Sequence, residues 1–190
     1  MKIGILALQG AFREHAIVLK QLGVDVFEVR LPEQLPNLDG IIIPGGESSS
    51  ILNLLQYYRL AKPLKELADN GLPVMGTCAG LIVMAESLTA NSIQPLGLMD
   101  ITISRNAFGR QMESFETELA IPVLGKQSFR AIFIRAPVIN ETAPGVEILS
   151  RLPDGSIVAA RQGKLVVSAF HPELTDDSRF HRYFLDVIRE

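Results

Sequence analysis

Apolar residues fall in short unbroken runs through the first half of the chain. Lys2–Leu8 (KIGILAL), Gly40–Pro44 (GIIIP) and Leu72–Met75 have the continuous hydrophobicity of strands buried on both faces of a parallel sheet. Val24–Leu31 adds a strand marked by β-branched residues. Between these runs the period changes to that of helices. Ala11–Leu22 is amphipathic and stops at Gly23, while Ser48–Tyr58 and Ala61–Asn70 follow the third strand. Apolar positions at Leu81, Ile82, Met84, Ala85 and Leu88 predict a helix after the fourth. Beyond it the chain turns strand-rich: Met99–Arg105, Glu116–Pro122, Phe129–Arg135, Val146–Arg151, Ile157–Arg161 and Leu165–Phe170 read as strands joined by short turns. Asp176–Arg189 closes the chain as a helix with Phe180, Tyr183, Phe184, Val187 and Ile188 on one face. The pattern predicts one α/β domain over residues 1–190. It has three layers, and its mixed, mostly parallel sheet carries an antiparallel extension. Ligands of such sheets sit beyond the carboxyl ends of the parallel strands. The loops after Leu8, after Pro44 and after Met75 are therefore expected to meet.

Composition narrows the classes of function. A length of 190 residues suits one core, and 47% hydrophobic with 21% charged residues is ordinary for a globular domain. A net charge of −3 with no basic run argues against nucleic acid as a partner. The single cysteine precludes an intrachain disulfide and fits a reducing compartment. The N-terminal run lacks a cleavage signal, and no run approaches the ~18 apolar residues of a membrane span, so a cytoplasmic location is expected.

That cysteine, Cys78, stands in G-T-C-A-G between a strand and a helix. A strand, a tight turn and a helix make a nucleophile elbow, here with sulfur in place of the usual serine oxygen. The flanking Gly76 and Gly80 are expected to allow the turn, and the helix N-terminus to favour a thiolate. The competing reading is a small buried hydrophobe. A nucleophilic cysteine needs a base and something to orient that base. Of the three histidines, His15 and His181 lie within predicted helices and read as packed or solvated residues. His171 instead ends a strand and opens H-P-E-L. Pro172 holds His171 extended, and residues two apart in extended chain project to one side, so Glu173 can lie beside the imidazole. A carboxylate there fixes the tautomer. The inferred triad is Cys78, His171 and Glu173. The string PGGESSS, residues 44–50, follows a buried strand and opens a helix. Gly46 and the N–H of Ala79 are the natural donors to an oxyanion. A plain helix cap or a weak phosphate cradle are the other readings of that loop.

Together these pieces resemble the class I, triad-type glutamine amidotransferases, which pair an elbow cysteine with a late H-x-E. Further strings are similar to one branch of that family, the glutaminase subunits of pyridoxal 5′-phosphate synthases. They are LALQGAFREH (6–15), PGGESSS (44–50), SRNAFGRQMESFE (104–116), FIRAP (133–137) and FHPELTDD (170–177). Ser49 stands where that branch often has Thr. The resemblance covers essentially the whole chain and implies the flavodoxin-like amidotransferase fold.

It also implies a reaction: the Cys78 thiolate attacks the amide of L-glutamine, His171 protonates the leaving ammonia, and water hydrolyses the thioester. By matching position, Gly46, Glu47, Ser48, Arg105, Ile134 and Arg135 would line the glutamine site. An arginine suits the substrate carboxylate, and Glu47 suits its ammonium group. No metal and no cofactor is implied, pyridoxal 5′-phosphate being the product of the partner. That partner would be a separate (β/α)₈-barrel synthase subunit, in a large oligomer carrying several glutaminase subunits. The region Gln9–Phe12 and the rim of the site would dock on it. Two other readings stay open on the residues: a cysteine hydrolase acting on another γ-glutamyl or peptide bond, and a non-enzymatic module binding a small anion at GGESSS.

Overall fold

The computed structural model describes residues 1–89, 93–105 and 114–190. Its first half alternates strand and helix: β1 (Lys2–Leu6), α1 (Phe12–Gln21), β2 (Asp25–Val29), β3 (Gly40–Ile43), α2 (Ser48–Tyr57), α3 (Ala61–Asp69) and β4 (Val74–Thr77). A short helix α4 (Ala79–Met84) follows, then β5 (Ala85–Leu88), β6 (Met99–Ser104), β7 (Ser114–Leu119), β8 (Phe129–Ile134) and β9 (Val138–Thr142). The chain ends with β10 (Glu147–Arg151), β11 (Ile157–Gln162), β12 (Leu165–Ser168) and α5 (Arg179–Arg189).

The main sheet runs β2-β1-β3-β4-β12-β11-β9-β6-β5, with β10 paired to β11. From β2 to β12 the strands are parallel, which needs crossover helices on the faces. Both faces are covered accordingly. Ile41, Ile43, Val74 and Val167 pack toward α2, α3 and α4. Ile3, Ile5, Ile42, Met75 and Val166 pack toward α1 and α5 on the other side. Alternate residues of one strand thus serve opposite cores, the reason these strands read as unbroken apolar runs. Each such side chain contributes about 1.5–3 kcal/mol through burial. Among the described residues, no helix is long and apolar enough to cross a membrane.

The structure corrects the sequence reading in three places. The helix expected to run through Leu88 stops at Met84, and Ala85–Leu88 forms β5, parallel to β6. Ala85–Leu88 has apolar residues only at its two ends, a spacing that also fits a helix, and pairing with β6 decides for strand. Second, β7 and β8 form a separate two-stranded sheet rather than joining the extension, with Phe129 and Phe133 packed into the α1/α5 core. Third, β12 is not part of an antiparallel extension on both sides. It pairs antiparallel with β11 but parallel with β4, in the middle of the sheet. Val138–Thr142, unmarked in the sequence pattern, forms β9.

Candidate active site

The loops after β1, β3 and β4 meet at the carboxyl end of the sheet, as expected, and the loop after β12 joins them. Register explains the last. Thr77 of β4 pairs with Ser168 of β12, and the N–H of Cys78 donates to the Ser168 carbonyl at 2.8 Å. Two strands far apart in sequence therefore deliver Cys78 and His171 to one place.

Cys78 sits between β4 and α4 with φ 48° and ψ −102°, a conformation L-residues rarely hold. Such a backbone costs about 1–3 kcal/mol and persists only where the surroundings enforce it. The flanking glycines act differently from the expectation: neither has a positive φ. A Cβ on Gly80 would lie 2.0 Å from the Ile43 carbonyl oxygen, and one on Gly76 2.7 Å from that of Gly80. They let α4 press against β3 and β4, which clamps the turn with its strain on Cys78 itself. Cys78 is 6% exposed, and its Sγ lies 3.7 Å from the Ile134 carbonyl oxygen.

The His171 backbone N–H donates to the Ile132 carbonyl at 2.8 Å, pinning the residue to β8. Its Nδ1 lies 2.6 Å from Oε1 of Glu173, and both side chains are buried. Burial opposes a charge on the ring. The hydrogen bonds with Cys78 and Glu173 outweigh it and hold His171 raised to about 10. Glu173 is lowered: burial works against its charge, and the imidazoles of His15 and His171 on either side offset that.

Every residue predicted for the site except Glu173 lines one cavity of about 300 Å³, and Glu173 stands behind His171. Gly46, Glu47 and Ser48 come from the loop after β3, Ala79 and Cys78 from the elbow, Ile134 and Arg135 from the end of β8, and Arg105 from the end of β6. Two assignments change in detail. The Glu47 carboxylate caps α2, accepting from the N–H groups of Ser49 (3.1 Å) and Ser50 (2.7 Å) and from the Ser50 hydroxyl, and Arg105 reaches it at 3.3 Å. Burial is the largest single effect and opposes its charge, but these donors together win and hold it at about 2. Arg135, expected at the end of a buried strand, is exposed with φ 44°, just past β8. Residues 106–113, which carry most of the SRNAFGRQMESFE string and Arg110, lie outside the described residues.

The sequence reading missed Gln9 and Ile82, which also line the cavity. The Gln9 Oε1 accepts from the Glu47 N–H at 2.8 Å, and the Ala11 N–H donates to the Gly45 carbonyl at 2.9 Å, so the segment after β1 buttresses the PGG loop. It also missed His15. That residue is packed, as expected of a helical histidine, but against Glu173: its Nε2 is 3.4 Å from Oε2. The available signal was position: His15 lies on the same face as Phe12, Ala16 and Leu19, where a polar ring needs buried partners.

Superposition on solved structures assigns the architecture to a class. A crystal structure described as a glutamine amidotransferase, 46% identical, overlays with a TM-score of 0.93, covering 99% of both chains. A putative GMP synthase protein from Thermoplasma acidophilum, 17% identical, shares the fold with a TM-score of 0.73 over 100% of this chain and 94% of its own. The fold is that of the class I glutamine amidotransferases. Within that class the chain belongs to the SNO glutamine amidotransferase family, whose family model matches residues 5–190. It is 56% identical to the "Pyridoxal 5′-phosphate synthase subunit PdxT" of Dehalococcoides mccartyi, over 100% of this chain and 98% of that one. Proteins of the same description from Carboxydothermus hydrogenoformans (56%, covering 99% and 98%) and Thermotoga neapolitana (50%, covering 100% of both) are also similar.

Proposed function

We propose that this chain hydrolyses L-glutamine to L-glutamate and ammonia at Cys78, and passes the ammonia to a separate synthase subunit that makes pyridoxal 5′-phosphate. One observation carries the reading: a cysteine on a strained elbow that lines one cavity with an imidazole itself bonded to a buried carboxylate, in a chain of the glutamine amidotransferase family.

The chemistry follows from the geometry. Cys78 passes its proton to His171, and the sulfur attacks the substrate amide carbon. The N–H groups of Ala79 and Gly46 stabilise the oxyanion, worth about 3–4 kcal/mol per donor. His171, held above the ordinary imidazole range, keeps its proton until the departing nitrogen takes it, so the C–N bond breaks with ammonia as the leaving group and the sulfur stays on carbon as the thioester. Water then attacks the thioester with His171 as base. Glu173 fixes the His171 proton on Nδ1 so that Nε2 faces the sulfur. Arg105 and Arg135 hold the α-carboxylate of glutamine, and Gly46, Glu47, Ser48 and Ile134 shape the remainder of its pocket. Each step uses groups of this chain and water, with no cofactor. Ammonia in neutral water is mostly ammonium, so a docked synthase, read as a (β/α)₈ barrel from the family resemblance, receives it without release to solvent.

Glutamate release, measured with and without the synthase subunit, tests this. Turnover with the partner and none in Cys78→Ala is expected, as is labelling of Cys78 by an electrophilic glutamine analogue. No release by the wild-type chain even with the partner refutes the proposal.

A further inference from the structure

Behind the site lies a row of buried polar groups that the reaction above does not use. Starting at the far end, His181 of α5 places Nε2 2.9 Å from Nδ1 of His15 on α1. The His15 Nε2 is 3.1 Å from the Thr77 hydroxyl on β4 and 3.4 Å from Oε2 of Glu173. Oε1 of Glu173 binds His171, which faces Cys78. Both outer histidines are 0% exposed. Two atoms of the row lack a hydrogen bond: Oε2 of Glu173, where the 3.4 Å approach is an ion-pair distance only, and Nδ1 of His181.

Those two atoms fix the direction of the row. If His15 carried its proton on Nδ1, it would donate to Nε2 of His181. The His181 proton would then sit on Nδ1, a buried donor with nothing to receive it, and Oε2 would face a bare ring nitrogen. If His181 donates from Nε2 to Nδ1 of His15, the His15 proton sits on Nε2 and is donated to the Thr77 hydroxyl, with Oε2 of Glu173 3.4 Å from the same nitrogen. The atoms then left over, Nδ1 of His181 and Oε2 of Glu173, are both acceptors, and buried orphan N–H groups are the rarer and costlier defect. Burial independently keeps both rings uncharged, with His181 lowered to about 3 and His15 lowered as well. Glu14 on α1, His171 and Glu173 after β12, and His181 on α5 are the charged or titratable groups that face His15, with Thr77 beside it.

We infer that His15 is a positioning residue of the reaction: as a neutral Nε2–H tautomer, set by His181 and bonded to Thr77, it sets an N–H dipole 3.4 Å from the second oxygen of Glu173, which favours the orientation that keeps the first oxygen on His171. A carboxylate anchored at one oxygen alone rotates and weakens its hold on the imidazole. An N–H dipole at the other oxygen prevents this without adding a cation that would compete with His171 for the negative charge.

The inference rests on the glutaminase reading, but its first test does not. The chain has three histidines, so long-range ¹H–¹⁵N spectra of the full chain resolve each ring. His15 and His181 are expected neutral at pH 7 with the proton on Nε2. A charged ring, or a proton on Nδ1 of either, overturns the inference. The second test uses the complex with the synthase. His15→Leu is expected to lower kcat for glutamine about 10- to 100-fold, the range seen when a group orienting a metal ligand from behind is lost, with KM changed less than about twofold. The alkaline limb of its pH profile, where His171 loses its proton, should move to lower pH. His15→Gln, which keeps a donor near the Nε2 position, should recover most of both effects. An unmoved limb in His15→Leu, or equal losses in the Leu and Gln variants, overturns it. Should His15→Leu fail to fold, the tautomer spectra decide alone. Absence of glutaminase activity in the wild-type complex refutes the functional reading instead, and the spectra then decide the protonation of the row by themselves.

Discussion

Gly45 offers a perturbation that alters no reacting group. A Cβ added there would lie 2.4 Å from Cε1 and 2.9 Å from Nδ1 of His171, and 3.3 Å from Cβ of Cys78. Ordinary contact starts near 3.4 Å, so in Gly45→Ala the ring must retreat by about 1 Å or the loop must lift by as much. The loop is tied down: the Ala11 N–H holds the Gly45 carbonyl at 2.9 Å, and a Cβ on Gly10 would itself sit 1.9 Å from that oxygen. The ring is tied too, but by one 2.6 Å bond to Glu173. Movement therefore falls on His171, stretching that bond and the contact with Cys78. A misplacement of about 1 Å costs on the order of 100-fold in rate, and overpacking costs about 1–3 kcal/mol of stability. Gly45→Ala is expected to fold, to melt lower, and to release glutamate about 100-fold more slowly, with the loss mainly in kcat. Steady-state glutaminase kinetics in the synthase complex, beside a thermal melt, read both quantities. A kcat within a factor of about three of wild type would refute the claim that Gly45, His171 and Cys78 are packed without slack.

Two further outcomes follow from the electrostatics. Buried His181, lowered to about 3, and His15, also lowered, are protonated in the unfolded chain below pH ~6.5 but resist it when folded. Stability should then fall as pH drops below ~6.5, by about 1.4 kcal/mol per unit for His181, with His15 acting in the same direction. His171, raised to about 10, acts oppositely: its contribution is complete below ~6.5 and is lost as pH rises toward 10. Denaturant titrations from pH 4 to 10 should peak near pH 6.5, and a steady rise through pH 9 contradicts the assignment. Glu47→Ala removes the cap of α2 and should cost about 1 kcal/mol; it also frees Arg105 and should raise KM for glutamine. The Glu47 contribution is present above the unfolded carboxylate value of ~4.5 and is lost as pH falls toward 2. A melt and KM equal to wild type would show that the carboxylate neither caps the helix nor shapes the pocket.

Much of the site was legible because its chemistry is local. An elbow needs a strand, a turn and a helix in succession, so G-T-C-A-G declares Cys78 without tertiary information. H-P-E puts His171 and Glu173 two residues apart, and the structure finds the pair bonded at 2.6 Å, though across a 3-10 turn over Pro172–Leu174 rather than the extended chain expected. The unbroken runs KIGILAL and GIIIP mark strands buried on both faces, and both lie in the parallel half of the sheet. The failures share a different cause. Ala85–Leu88 became a strand because β6 was available to pair with it, and no local pattern carries that. Nothing in Leu165–Ser168 says that its neighbour is β4, yet that register is what brings His171 to Cys78.

The sequence by itself determined the candidate reactive groups, the His171–Glu173 pairing and the layers of the fold, since each rests on residues within a turn or two of one another. Tertiary structure alone decided which side of the sheet those groups share, which loops wall the cavity, and that His15 and His181 stand behind Glu173. The physical reason is that backbone pairing and burial join residues without regard to sequence distance. A histidine on an apolar helix face takes its meaning from whatever the sheet sets opposite, and here that is Glu173, the carboxylate of the proposed triad.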